Sequence, residues 1–359
     1  MRTAARHILL LLCCCQYYYS QTFHFSQFNE NHALLNPALT GATDPLRASI
    51  IYRDQWRSIT VPYKTFGMSF ETQVNTSGWK SVDKFRSMTF KEKTIGRLAW
   101  GLSVYSDRGG SGNLATTQGN LSIASFVPIN RKQFVSIGLQ ASYVQQSISS
   151  GNLIYPSQFN GTGYDPNMPQ HDRLNSTSYN YAGFAGGCLW SYGQRENKVG
   201  SHRQIKANAG ISFYQITIPH QSFFVNKESL AMRYLVHGDL LYSPARFNTG
   251  IAPSFYLQMQ GSSMQLVLGN MFKYFFSDNS KYTGNVKQSS VGFGLYYRNN
   301  DAAILMISFE RSEQYAIGLS YDINTSRLFN VSTGRGSFEI TMRYTPPKAF
   351  LYQKKTKPA

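Results

Sequence analysis

Between Ser337 and Tyr344 the chain alternates strictly. Phe338, Ile340, Met342 and Tyr344 are apolar or aromatic, and Ser337, Glu339, Thr341 and Arg343 lie between them. A period of two predicts an extended strand with the four apolar side chains on one face and a carboxylate and a guanidinium on the other. The pattern recurs along the chain. Phe66, Met68 and Phe70 alternate with Thr65, Gly67, Ser69 and Glu71, and Leu98, Trp100, Leu102 and Val104 with Ala99, Gly101, Ser103 and Tyr105. Val135, Ile137, Leu139, Ala141 and Tyr143 interleave with Ser136, Gly138, Gln140 and Ser142. Tyr315, Ile317, Leu319, Tyr321 and Ile323 interleave with Ala316, Gly318, Ser320, Asp322 and Asn324. The second face is rich in Gly, Ser, Thr and Tyr and poor in Lys and Glu, unlike a solvated sheet face. Apolar residues facing lipid and small polar residues facing a lumen characterise a transmembrane antiparallel β-barrel, an all-β fold.

Fourteen candidate strands lie near residues 46–57, 64–73, 96–107, 113–127, 132–147, 177–191, 204–215, 232–242, 247–259, 263–276, 286–299, 302–310, 313–325 and 335–345. The number is even, so both barrel ends are expected in the periplasm, with short turns there and longer loops outside. "PINR" (128–131), "SPAR" (243–246) and "RS" (311–312) fit periplasmic turns, and 148–176 and 216–231 fit outer loops. The parity breaks at 74–95, long but expected inside, and at "QGS" (260–262), short but expected outside. The organisation predicted is a signal peptide at 1–20, a periplasmic or plug segment at 21–45, a barrel at 46–345 and a basic tail at 346–359.

Composition agrees with this reading: 24 Phe, 24 Tyr and 4 Trp accompany only 15% charged residues. The longest apolar run, Ile8 to Cys15, is far shorter than the roughly 20 residues of a helical span. It follows Arg2, Arg6 and His7 and precedes small or polar residues up to Ser20, the order of a secretory signal peptide. Leu12, before Cys13, is not the small residue that a lipoprotein site needs. Cys13, Cys14 and Cys15 would leave with the peptide, and Cys188 alone could form no internal disulfide.

The formal net charge is +17, which brings nucleic acid into consideration. Export, the scatter of the basic residues and the absence of a nucleic-acid-binding signature argue against it. Lipopolysaccharide, anionic lipid and acidic protein suit a positive exported surface better. The segment 74–95 carries Lys80, Lys84, Arg86, Lys91 and Lys93 against Asp83 and Glu92. It reads either as a solubilising loop or as a docking surface for an acidic periplasmic partner. Chemistry is not indicated. No His pair has metal-ligand spacing, Ser222 near His220 makes no triad, and "DRGGSGN" and "GTGYD" lack the Lys-Ser/Thr of a phosphate loop. The expectation is no enzyme, no cofactor and no metal.

Seven stretches occur in a specific order: "FSQFNENHALLNPALTG" (25–41), "IIYRDQW" (50–56), "GLSVYSDRGG" (101–110), "GLQASY" (138–143), "AGISFYQITIPHQSF" (209–223), "GLYYRNNDA" (293–301) and "GLSYDINTSRL" (318–328). Together they resemble the PorP/SprF family of outer-membrane proteins of the Bacteroidetes type IX secretion system. The resemblance implies an outer-membrane barrel working in type IX secretion or gliding. It would help to export cargo proteins or hold them at the surface, and would contact periplasmic machinery. Two features depart from it: the length of 74–95, and a tail of 15 residues after Tyr344.

Where motifs match, Asn36, Pro37 and Gly41 of "NPALTG" are read as a fixed turn that plugs or braces the barrel from below. Arg53 and Asp54 of "YRDQW" are read as an interior ion pair beside an interfacial Trp56. Glu339 and Arg343 are placed inside the barrel, each expected to find an opposite charge on a neighbouring strand. Cargo recognition is assigned to the loop from Gln215 to Arg233. Phe223 and Phe224 would serve there as anchors, Gln221, Ser222 and Asn226 as hydrogen-bonding groups, and Pro219 as a stiffener. Two other readings remain open: a solute-conducting porin, which the sheet pattern allows equally, and a soluble sandwich adhesin.

Overall fold

The computed structural model describes residues 24–57, 61–74, 97–110, 112–130, 132–149, 156–165, 167–168, 177–195, 204–221, 223, 228–244, 247–276, 289–326 and 329–346. The region read as a signal peptide and the basic tail after residue 346 lie outside these residues. So do Lys80, Lys84, Arg86, Lys91 and Lys93, and Ser222, Phe224 and Asn226 of the proposed cargo loop.

The described residues form sixteen strands: β1 (Leu46–Gln55), β2 (Tyr63–Val74), β3 (Arg97–Gly109), β4 (Leu114–Asn130), β5 (Gln133–Ser147), β6 (Ser178–Arg195), β7 (Gln204–Tyr214), β8 (His220–Gln221), β9 (Glu228–Ser229), β10 (Arg233–Ser243), β11 (Thr249–Gln260), β12 (Ser263–Phe275), β13 (Ser290–Arg298), β14 (Ala302–Arg311), β15 (Tyr315–Asn324) and β16 (Arg335–Tyr344). Fourteen of them pair in sequence, and β1 closes on β16 to make a closed antiparallel barrel; β8 and β9 form a separate small hairpin between β7 and β10. Closure leaves no unpaired strand edge, which a strand-built membrane span requires.

Alternation sets the two faces. Phe338, Met342 and Tyr344 are 43%, 51% and 40% exposed on the outside, whereas Glu339 between them is fully buried within. Phe66, Met68, Phe70, Leu98, Trp100, Leu102, Ile137 and Leu139 extend the same outer belt. An apolar surface this continuous is not tolerated in water but is satisfied by lipid. Two element ends differ from expectation. β4 continues through Pro128, where the ladder to β5 shifts register, because a bulge accommodates a residue that has no N–H to donate. β11 and β12 are joined through Gly261 at φ 57°, so a two-residue turn suffices where a longer outer loop was expected.

The lumen is not empty. Residues 24–45 fold into single helical turns at Phe28–Glu30, His32–Leu35 and Pro37–Leu39. Phe28, Leu35, Ala38 and Leu39 pack against Leu189 of β6, Leu235 of β10, Tyr256 of β11, Val267 of β12, Tyr296 of β13 and Ile304 and Met306 of β14, all buried. The segment does not brace the barrel from below; it fills it, since burying these apolar groups against the wall removes them from water. It also runs lengthwise. Its first described residue, His24, accepts a hydrogen bond from Arg53 near the end of β1. Its last part meets Gln73 near the end of β2, where Gln73 Nε2 donates to Gly41 O at 2.7 Å and Gln73 N to Pro45 O at 2.7 Å. The chain thus crosses the lumen from one rim to the other before β1 begins.

Candidate functional site

The small inward residues make room for this segment. A Cβ on Gly138 of β5 would lie 2.3 Å from Ala38 N and 2.3 Å from Pro37 C, and one on Gly187 of β6 would lie 2.0 Å from Asn36 Oδ1. The wall and the turn approach backbone to backbone, and no larger side chain fits there. Asn36 fixes the approach. Its Oδ1 accepts from Ala38 N at 2.9 Å and so caps its own turn, while Nδ2 donates to Cys188 O at 3.0 Å and Ile211 O at 3.2 Å and stands 3.1 Å from His237 Nε2. Pro37 occupies the first position of its turn, where the missing N–H costs nothing. Gly41 adopts φ 69°, and a Cβ there would meet Ala99 Cβ at 2.5 Å. Wall hydroxyls satisfy the segment's free carbonyls: Ser136 donates to Ala38 O at 2.9 Å, Ser212 to Leu35 O at 2.8 Å and Tyr214 to Ala33 O at 3.1 Å.

Charge secures both ends. At the rim where β1 ends, Glu339 accepts from Ser26 N at 2.7 Å and Gln27 N at 3.1 Å, and Arg53 Nε lies 3.3 Å from Glu339 Oε1. Asp322 accepts from Ser26 Oγ at 2.8 Å, Ser337 Oγ at 2.7 Å and Arg298 Nη1 at 3.0 Å, and Arg53 Nη2 is 3.6 Å away. Arg298 Nη1 also meets the partly exposed Asp301 at 2.9 Å, so two arginines face three carboxylates, two of them fully buried, with Ser26 of the segment wedged among them and accepting from Arg298 Nη2 at 2.6 Å. Balance matters because a buried charge is costly unless it is paired and hydrogen-bonded. Towards the other rim, Glu30 meets Arg47 at 2.7 Å and Arg343 at 3.1 Å, and Glu71 of β2 takes His32 Nδ1 at 3.0 Å and Gly41 N at 3.0 Å.

Several sequence expectations need correction. Arg53 and Asp54 form no interior pair, because adjacent strand residues point to opposite faces. Arg53 turns inward to Glu339 and Asp322. Asp54 lies on the outward face, in register with Phe338 and Lys64. Trp56 beside it packs edge-on against Tyr63, with centroids 5.6 Å apart. Glu339 has a partner on the adjacent β1, but Arg343 does not follow that pattern. It reaches Glu30 of the luminal segment and, at 2.9 Å, Glu310 on β14, two strands away. In the proposed cargo loop, Gln221 belongs to β8, Pro219 O accepts from Leu230 N at 2.9 Å, and Phe223 is half-buried. The Phe223 ring packs edge-on against Tyr179 of β6 at 4.7 Å, so it is not a free anchor. Ser26, Glu30, His32, Glu71, Arg298 and Asp322 were not singled out. The signal for Glu71 and Asp322 was present, since each is a carboxylate among the small residues of an inward face. Among the described residues, no group of three His, Cys, Asp or Glu is placed to hold a metal.

A closed barrel with an apolar outer belt and a core built inside its lumen defines an outer-membrane β-barrel protein and not a soluble sandwich. The chain belongs to the PorP/SprF family of type IX secretion system membrane proteins, whose model matches residues 18–344. No curated protein matches the sequence. Among solved structures, the fold is similar to the toluene transporter TbuX of Ralstonia pickettii, at 11% identity and TM-score 0.42 over 86% of this chain and 92% of that one. It is similar also to a mutant of the monoaromatic hydrocarbon channel TodX, at 11% identity and TM-score 0.43 over 86% and 92%. BamA from Haemophilus ducreyi follows at 9% identity and TM-score 0.40 over 84% and 70%.

Proposed function

We propose that this type IX secretion component binds protein and conducts no solute: it receives particular cargo proteins for export or surface anchoring and acts with periplasmic and outer-membrane parts of the machinery. The observation that carries this reading is the occupied lumen. A solute porin needs a continuous aqueous path, whereas here Phe28, Leu35 and Leu39 form a dry core with six strands of the wall. With the interior committed to the chain's own segment, recognition falls to the connections at the rims. The basic segment 74–95 is the docking candidate for an acidic periplasmic partner, and the connection between β7 and β10 is the candidate for cargo. In that connection Ile216 and Ile218 are exposed, at 45% and 49%, beside the β8–β9 hairpin.

The test compares secreted, surface-attached and periplasmic protein pools in cells with and without the protein. Loss of a small set of secreted proteins, with their accumulation in the periplasm, is expected. Unchanged pools together with slowed uptake of a small solute would support the porin instead.

A further inference from the structure

Close to the rim where β1 ends, the outward face carries two cations side by side. Lys64 of β2 and Arg108 of β3 are direct cross-strand partners and both are exposed. Neither side chain forms an ion pair or hydrogen bond among the described residues. Like charges directly opposite one another destabilise a sheet unless something anionic lies between them. Asp54 flanks Lys64 on the other side, with its Oδ1 lacking a partner, and the exposed Arg57 follows in the β1–β2 connection. The local balance is three cations against one carboxylate. Tyr52, Val61, Pro62 and Phe66 line a groove together with Lys64 and Arg108. One and two rows further from the rim, the same outward columns continue as Phe66, Met68 and Val104, all exposed and apolar. A cationic notch above an apolar wall is complementary to an anionic head carried on acyl chains.

We propose that this groove binds a phosphate of an outer-leaflet glycolipid of the lipid A class. Two reasons favour that source over a phospholipid. A phosphomonoester approaches two negative charges at neutral pH, which matches a pair of cations on cross-strand partners whose backbones lie about 5 Å apart, whereas the phosphodiester of a phospholipid carries one. With an even strand number and both barrel ends in the periplasm, the rim where β1 ends faces the outer leaflet. Arg108 supplies a planar donor fork and Lys64 a point charge, while Tyr52 and Phe66 would contact the sugar and the first methylenes.

The experiment delipidates the purified full-length protein in detergent, adds back lipid A or phosphatidylglycerol, and measures retained lipid by native mass spectrometry. Wild type is compared with Lys64→Ala/Arg108→Ala and with Lys64→Gln/Arg108→Gln, the second keeping more of the side-chain volume. Folding of each variant is checked by its heat-dependent shift on SDS gels. Wild type should retain lipid A at ten-fold or more lower concentration than phosphatidylglycerol, and a folded double variant should lose that preference. Equal retention of lipid A by wild type and a folded variant, or equal retention of the two lipids by wild type, would overturn the assignment.

Discussion

Arg53, Arg298, Asp322 and Glu339 share one dry end of the lumen, where each charge depends on the others. Replacing Glu339 by Gln should remove the nearer of Arg53's two negative partners and weaken the acceptor for Ser26 N and Gln27 N. Breaking one side of a buried pair costs about 3–5 kcal/mol. The variant should therefore lose its folded gel mobility at a clearly lower temperature than wild type. Asp54→Asn, on the outer face, should shift that temperature little. A second pair isolates packing from charge. Gly138→Ala drives a methyl into the backbone of Pro37 and Ala38, while a Cβ on Gly119 meets nothing within 4 Å. The first substitution should cost about 1–3 kcal/mol and the second much less, because only the first overpacks the interface of wall and segment.

At the scale of elements, the alternating pattern made the strands legible, since a period of two with one apolar face leaves few alternatives. Fourteen barrel strands were expected and fourteen close the sheet. The identity of the inner face was harder to read. Small inward residues such as Ser136 and Gly138 suit the lining of an aqueous pore, and they suit equally well a wall against which another backbone packs. The short turns of residues 28–39 carry no long helical period, so the choice between a plug in the lumen and a brace below it followed only from three-dimensional packing. The Arg53–Asp54 reading failed for a simpler reason: neighbours in a strand cannot share a face. The rim elements carry the functional predictions. Reversing Lys80, Lys84 and Lys91 to Glu should weaken co-purification of an acidic periplasmic partner by roughly ten- to hundred-fold, with barrel assembly unchanged; co-purification insensitive to these changes and to salt would leave 74–95 a solubilising loop. Phe223→Ala with Phe224→Ala should release a specific protein from the cell surface. Because Phe223 leans on Tyr179, Tyr179→Ala is the informative partner variant: it should reproduce part of the loss if the connection works as an ordered surface.

For the whole molecule, the route of the N-terminal segment has a topological consequence. His24 sits by Arg53 at one rim, whereas β1 starts and β16 ends at the other. An epitope inserted just before His24 and another appended after residue 359 should be reached by protease from opposite sides of the outer membrane. Equal accessibility from one side would mean that the segment does not traverse the barrel. The central claim is that this traverse closes the lumen, and conductance in a planar lipid bilayer measures it most directly. Purified full-length protein should insert without steady ion conductance, and removing residues 24–44 while keeping β1 intact should produce stepwise channel openings. Steady conductance by the full-length protein, equal to that of the truncated barrel, would contradict the account.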